Sequence, residues 1–179
     1  MALLSFFIAI FVSLTANTLI KQANLILALL ILVGIILLGI IFDMVGSAVL
    51  SAKEAPFHAM GAKRVAGSKQ SIALIKNADK VATFCNDVVG DIAGTVAGAA
   101  GAIIVIRLLQ IYPLGESSLG ILMTALIAAL TIGGKSMSKT IACKNWLFII
   151  NMAGKVFYWL EKQTGLTILN SKKNCRKRV

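Results

Sequence analysis

Four residues with oxygen-bearing side chains sit where membrane chemistry would need them: Asp43, Asn86, Asp87 and Asp91. Carboxylate and carboxamide oxygens are hard donors, the kind that magnesium and calcium favour. Asp87 and Asp91 are four apart, so on a helix they share one face. Asp43 is followed by Gly46 and Ser47, small residues that could expose backbone carbonyls as further ligands. A plainer reading makes these acids hydrated groups at a membrane edge, beside a packing groove. The stretch 133–139, Gly-Gly-Lys-Ser-Met-Ser-Lys, adds a cation, Lys135, whose ammonium could pair with Asp43 or Asp87. Unlike charges buried together cost less than one left alone. Its glycine pair, Gly133-Gly134, predicts a bend or break, and it is no phosphate loop, because the fuller spacing is absent.

What must position these groups is a set of membrane helices. Residues 25–42 are an unbroken apolar run that ends at Asp43. A run this long satisfies its own backbone hydrogen bonds as a helix and is long enough to cross hydrocarbon. An acid at its end is costly unless it faces protein, water or a cation. Four spans are expected, at about 2–20, 24–50, 81–108 and 118–134. The first lacks a basic n-region, so it reads as a retained span rather than a cleaved signal. The third carries Gly90, Gly94, Gly98 and Gly101, a small-residue ladder that allows close helix approach.

Composition agrees with this reading. Hydrophobic residues make up 58% of the 179-residue chain, and mean hydropathy is +0.89. The expected fold class is all-α, a polytopic membrane helical bundle with amphipathic juxtamembrane helices. Of the 18 Lys and Arg residues, all but Lys21 and Arg107 fall in 53–80 or beyond 134. The positive-inside rule then places both termini and residues 53–80 in the cytoplasm, which requires an even number of spans. A net charge of +11 does not argue for nucleic acid, because the basic residues alternate with spans. Partners expected instead are the bilayer and its anionic lipids, with a plasma membrane of bacterial type as the location. Residues 57–80 and 145–161 alternate apolar and basic residues and read as helices lying on anionic lipid. For 145–161 a short fifth span is the alternative, opposed by Lys155. Residues 162–179 read as a basic cytoplasmic tail.

Other candidates are weak. Cys85, Cys143 and Cys175 have no metal-ligand spacing, and disulfides are not expected. His58, the single histidine, reads as hydrated or hydrogen-bonded. With no nucleophile–base pair and no zinc-like motif, no enzyme is expected.

Three segments together resemble the transmembrane domain of the CNNM (cyclin M) and CorB/CorC family, which is linked to magnesium transport. Phe42-Asp-Met-Val-Gly-Ser-Ala-Val-Leu-Ser51 resembles that family's small-residue, serine-rich motif at the end of its first span. Cys85-Asn-Asp-Val-Val-Gly90 resembles its asparagine motif, and Gly134-Lys-Ser-Met-Ser-Lys139 its Gly-Glu-x-x-Pro-Lys motif. The likeness covers roughly 24–160 and divides the chain into an additional N-terminal helix (1–22), a CNNM/CorB-like domain (23–161) and the tail (162–179). It implies a homodimer that binds a largely dehydrated Mg2+. Asn86 or Asp87 takes the family's asparagine position, and Gly134 its glycine. The ligand serine falls on Asp43 or Val45, depending on register. The implied metal set is therefore Asp43, Ser47, Asn86, Asp87, Asp91 and Gly134. Two departures matter: the glutamate position holds Lys135, which cannot ligate a cation while charged, and the proline position holds Ser138. The family's CBS modules are not in this sequence, so nucleotide control through them is not implied. The functional expectations are a minimal divalent-cation transporter or a non-transporting scaffold in which Lys135 fills the cation position.

Overall fold

Asn24 breaks the first two apolar stretches into a helical hairpin. In the computed structural model, which describes residues 2–111 and 116–164, α1 spans Ala2–Gln22 and α2 spans Leu25–Ser51. Helix α2 stops where Pro56 imposes a new start, opening α3 (Ala55–Ala62) at its first turn. Gly67, at φ +86°, turns the chain into α4 (Ser68–Lys76). Asn77 ends α4, its Nδ2 donating to the Ala73 carbonyl at 2.9 Å. The third long helix is composite: α5 (Ala78–Thr83), a π-helical turn (Phe84–Gly90) and α6 (Asp91–Ile111). Helices α7 (Glu116–Lys144) and α8 (Trp146–Thr164) complete the described chain. All regular structure among the described residues is helical.

Helix α2 is the hub of the bundle. Its buried residues include Ala28, Leu32, Ile36, Gly39, Asp43 and Gly46, spaced by three and four so that they form one stripe. That stripe meets Ala97, Ala100 and Ile104 of α6 and Ile127 of α7 in the main core cluster. Helix α1 lies against α6 through Ile8, Ala9, Val12 and Ala16, which pack on Val88, Ile92 and Val96. Contacts along the helices run Gly39 to Ala93 and Gly46 to Asn86, so α2 is antiparallel to α6. Gly101 meets Ile127 and Gly90 meets Lys135, so α7 is antiparallel to α6 as well. Along the glycine ladder the close approach is at Gly101, where a Cβ would collide with the Ile127 side chain; Gly90 and Gly94 have ordinary contacts and Gly98 faces open space.

Among the described residues, three helices are long and apolar enough to cross a membrane: Leu25–Ser51, Ala78–Gln110 and Gly120–Lys144. Their outward residues are large and apolar, among them Ile26, Leu30, Leu38, Ile121, Leu122 and Ile132. A water-soluble fold does not expose such contiguous surface, and the chain is a membrane protein. Within α1 the apolar part is shorter, Ser5–Ile20.

One expectation fails locally. Gly133-Gly134 does not break its helix; α7 continues through the pair and on to Lys144, ten residues past the anticipated end at 134. The two glycines forfeit only about 1 kcal/mol of helix propensity each. Gly134 instead admits the side chain of Ile40 from α2, and that packing outweighs the loss.

Short helices gather at the basic end of the bundle. Phe57 of α3 is fully buried with Ala48 and Val49 of α2 and Ile150 of α8. Helix α8 docks on α4 at a point where backbones nearly touch. A Cβ on Gly67 would come within 2.8 Å of the Gly154 carbonyl carbon. There the Ser71 hydroxyl donates to the Ile150 carbonyl at 3.1 Å, and Gln70 Nε2 donates to Glu161 at 2.6 Å. The segment 57–80 is helical in α3, α4 and the first turn of α5, and of these α4 is clearly amphipathic. Helix α8 is not among the long apolar helices and exposes Phe148, Met152, Val156 and Trp159. Of the tail, residues 165–179 lie outside the described residues.

Candidate functional site: a buried carboxylate beside a π-helical turn

Asp43 occupies a core position of α2. It is 2% exposed, and its Oδ2 finds no hydrogen-bond partner. No ion pair involving it is present among the described residues. One helical turn further along the same stripe lies Gly46, and against Gly46 lies the Asn86 carboxamide. The buried Asn86 Oδ1 also lacks a hydrogen-bond partner. Two unpartnered oxygens, one anionic and one neutral, thus face the packed interior from adjacent helices. Leaving such groups bare is expensive, about 1–3 kcal/mol for a neutral one and more for a charge.

The backbone around Asn86 departs from α geometry. Residues 84–90 form a π-helical turn, a feature that concentrates at functional sites and widens the helix by one residue. Sequence periodicity did not foresee it. Gly46 makes it fit: any Cβ there would collide with the Asn86 side chain and lie 3.1 Å from the Cys85 Cβ.

The remaining expected site residues are placed differently. Ser47 is half-buried, and its carbonyl accepts from the Ser51 hydroxyl at 3.1 Å. Asp87 and Asp91 are exposed. Gly134 packs on Ile40. The ion pair anticipated between Lys135 and Asp43 or Asp87 forms instead with Asp91, with Nζ to Oδ1 at 3.1 Å. The Lys135 side chain passes beside Gly90, its Nζ 3.4 Å from where a Cβ would stand. The Asp91 side chain is 71% exposed, so the pair lies at the protein surface and not in the core. The Ser138 hydroxyl donates to the Lys135 carbonyl at 2.8 Å, and the helix continues.

No group of three or more His, Cys, Asp or Glu side chains suited to a metal comes together among the described residues. A cation held here would therefore draw on the Asp43 carboxylate, the Asn86 carboxamide and backbone or hydroxyl oxygens. That donor set suits magnesium in kind, since Mg2+ is commonly held by one or two carboxylates with neutral oxygens and retained water.

At the opposite end of the bundle a polar contact escaped the sequence reading. Arg107 Nη1 donates to the Ala23 carbonyl at 2.7 Å, satisfying a carbonyl freed where α1 ends. The sequence signal was an arginine close to the end of the 81–108 span, with no partner indicated.

The class defined by this fold and site is a helical membrane bundle with an acid in its packed interior. Comparison with family models, curated proteins and solved structures finds no match in any of the three. The likeness to the CNNM and CorB/CorC domain thus rests on the motifs alone.

Proposed function

We propose that this protein binds a divalent cation, with magnesium as the type ion, at Asp43 and Asn86, and passes it across the membrane. The observation that carries the reading is the unpartnered Asp43 Oδ2 in a residue only 2% exposed. A buried carboxylate without a counter-charge is unstable unless a proton or a cation compensates it. Lys135 does not supply that charge, because its salt-bridge partner is Asp91. The adjacent Asn86 oxygen and the π-helical turn add a neutral donor and a widened backbone. Four spans, a homodimer and cytoplasmic termini belong to the same proposal, as does the absence of enzymatic chemistry.

The test uses the full chain purified in detergent with Mg2+ alone. A ligand that binds only the folded state raises the melting temperature with concentration. Mg2+ is expected to stabilise the wild type and Asp87→Asn, but not Asp43→Asn. Reconstituted vesicles should then take up Mg2+, with or without a sodium gradient. Binding without flux would leave a sensor or scaffold; no binding at all would overturn the proposal.

A second reading has its own support. The Lys135 ammonium is tethered by Asp91 at 3.1 Å, which supports a scaffold that carries no ion. In that case wild type shows no Mg2+ response, and Lys135→Glu creates one.

A further inference from the structure

A different feature lies on the other side of α2, where α2, α5 and α8 enclose a cleft of about 790 Å3. Its walls are apolar, with Phe42 on α2 and Met152 on α8 both exposed within it. Only Asn77 and Lys80 bring polar side chains to the lining. No carboxylate lies within ion-pair distance of Lys80 among the described residues. We propose that this cleft holds one anionic phospholipid, its acyl chain between α2 and α8 and its phosphate at Lys80.

The volume falls in the range of ligand sites, roughly 300–1,000 Å3. An apolar cleft of that size does not hold water favourably. Its level in the fold also fits. Phe42 closes the apolar run of α2, whereas Lys80 lines the same cleft at the end of the basic segment that the positive-inside rule assigns to the cytoplasmic side. Since lipid tails are as apolar as the walls, the tail alone confers little preference. Selectivity must come from charge, and the unpaired lysine at the rim selects a negative headgroup over a zwitterionic one. This site shares no residue with the proposed cation site.

The experiment equilibrates the full-length protein with vesicles of equal phosphatidylglycerol and phosphatidylcholine, re-purifies it in mild detergent and counts bound lipid by native mass spectrometry. One phospholipid per chain is expected, with phosphatidylglycerol favoured. Filling the cleft from either wall, by Val45→Phe or Ala153→Phe, should remove it while helical circular dichroism is retained. Lys80→Gln, a surface change that leaves the core untouched, should cut the headgroup preference roughly fivefold, the worth of one basic residue near an anionic surface. The proposal is overturned if no lipid is retained or if Lys80→Gln leaves the preference unchanged. It is equally overturned if Ala153→Cys cross-links to a second copy, which would make the cleft a protein interface.

Discussion

At the scale of single residues, the structure separates charges that look alike in the sequence. Asp43, Asp87 and Asp91 are three aspartates near one membrane edge, yet only Asp43 is enclosed. Its environment depends on Gly46, which leaves room for Asn86. Gly46→Val should therefore overpack the α2–π-turn contact and lower stability by about 1–3 kcal/mol, read as a reduced melting temperature in detergent. Lys135 and Asp91 form the opposite case. Because the acid is mostly exposed, their double-mutant cycle should give a coupling of at most about 1 kcal/mol. A coupling of several kcal/mol would mean that the pair is buried in the working state, for instance against a second subunit.

Elements show how glycine means different things at different places. Gly67 has a positive φ and abuts the backbone of Gly154. Gly67→Ala should strain the turn by about 1–2 kcal/mol and also push α8 off α4, exposing the 53–80 segment to proteolysis. Gly133 lies mid-helix in α7 with nothing near its absent side chain. Gly133→Ala should stabilise by about 0.5–1 kcal/mol, since only helix propensity changes. A melting-temperature comparison of the two variants decides both claims at once. The reading of Gly133-Gly134 as a break failed for this reason: propensity is a weak signal, and Ile40 packing into Gly134 supplied a stronger one.

For the molecule as a whole, the helix directions place the basic segments together. Helix α2 runs antiparallel to α6, α7 antiparallel to α6, and the short helices gather where α2 ends. If α1 also crosses the bilayer, its N-terminal end lies on that basic side. In a chain with its native cysteines replaced by serine, Leu3→Cys and Lys69→Cys should then react with an impermeant maleimide from the same face, and Gln22→Cys from the other. Labelling of Leu3→Cys from the face that labels Gln22→Cys would make α1 an interfacial helix and leave three spans.

The sequence alone marked the class of protein, an all-α membrane bundle; it anticipated four spans, whereas three helices among the described residues are long and apolar enough to cross. Extended apolar runs must satisfy their own backbone groups in lipid, and helices are the way a single segment does so. It also marked the acids and the basic segments, since charge is legible without a fold. It did not determine which way Asp43 faces. In a helix that is apolar all round, periodicity is invisible, so the stripe through Ala28, Leu32, Ile36 and Gly39 emerged only from packing against α6 and α7. The π-helical turn, the choice of Asp91 as partner of Lys135 and the cleft beneath α8 were likewise decided by tertiary contacts, because each depends on where a second helix stands.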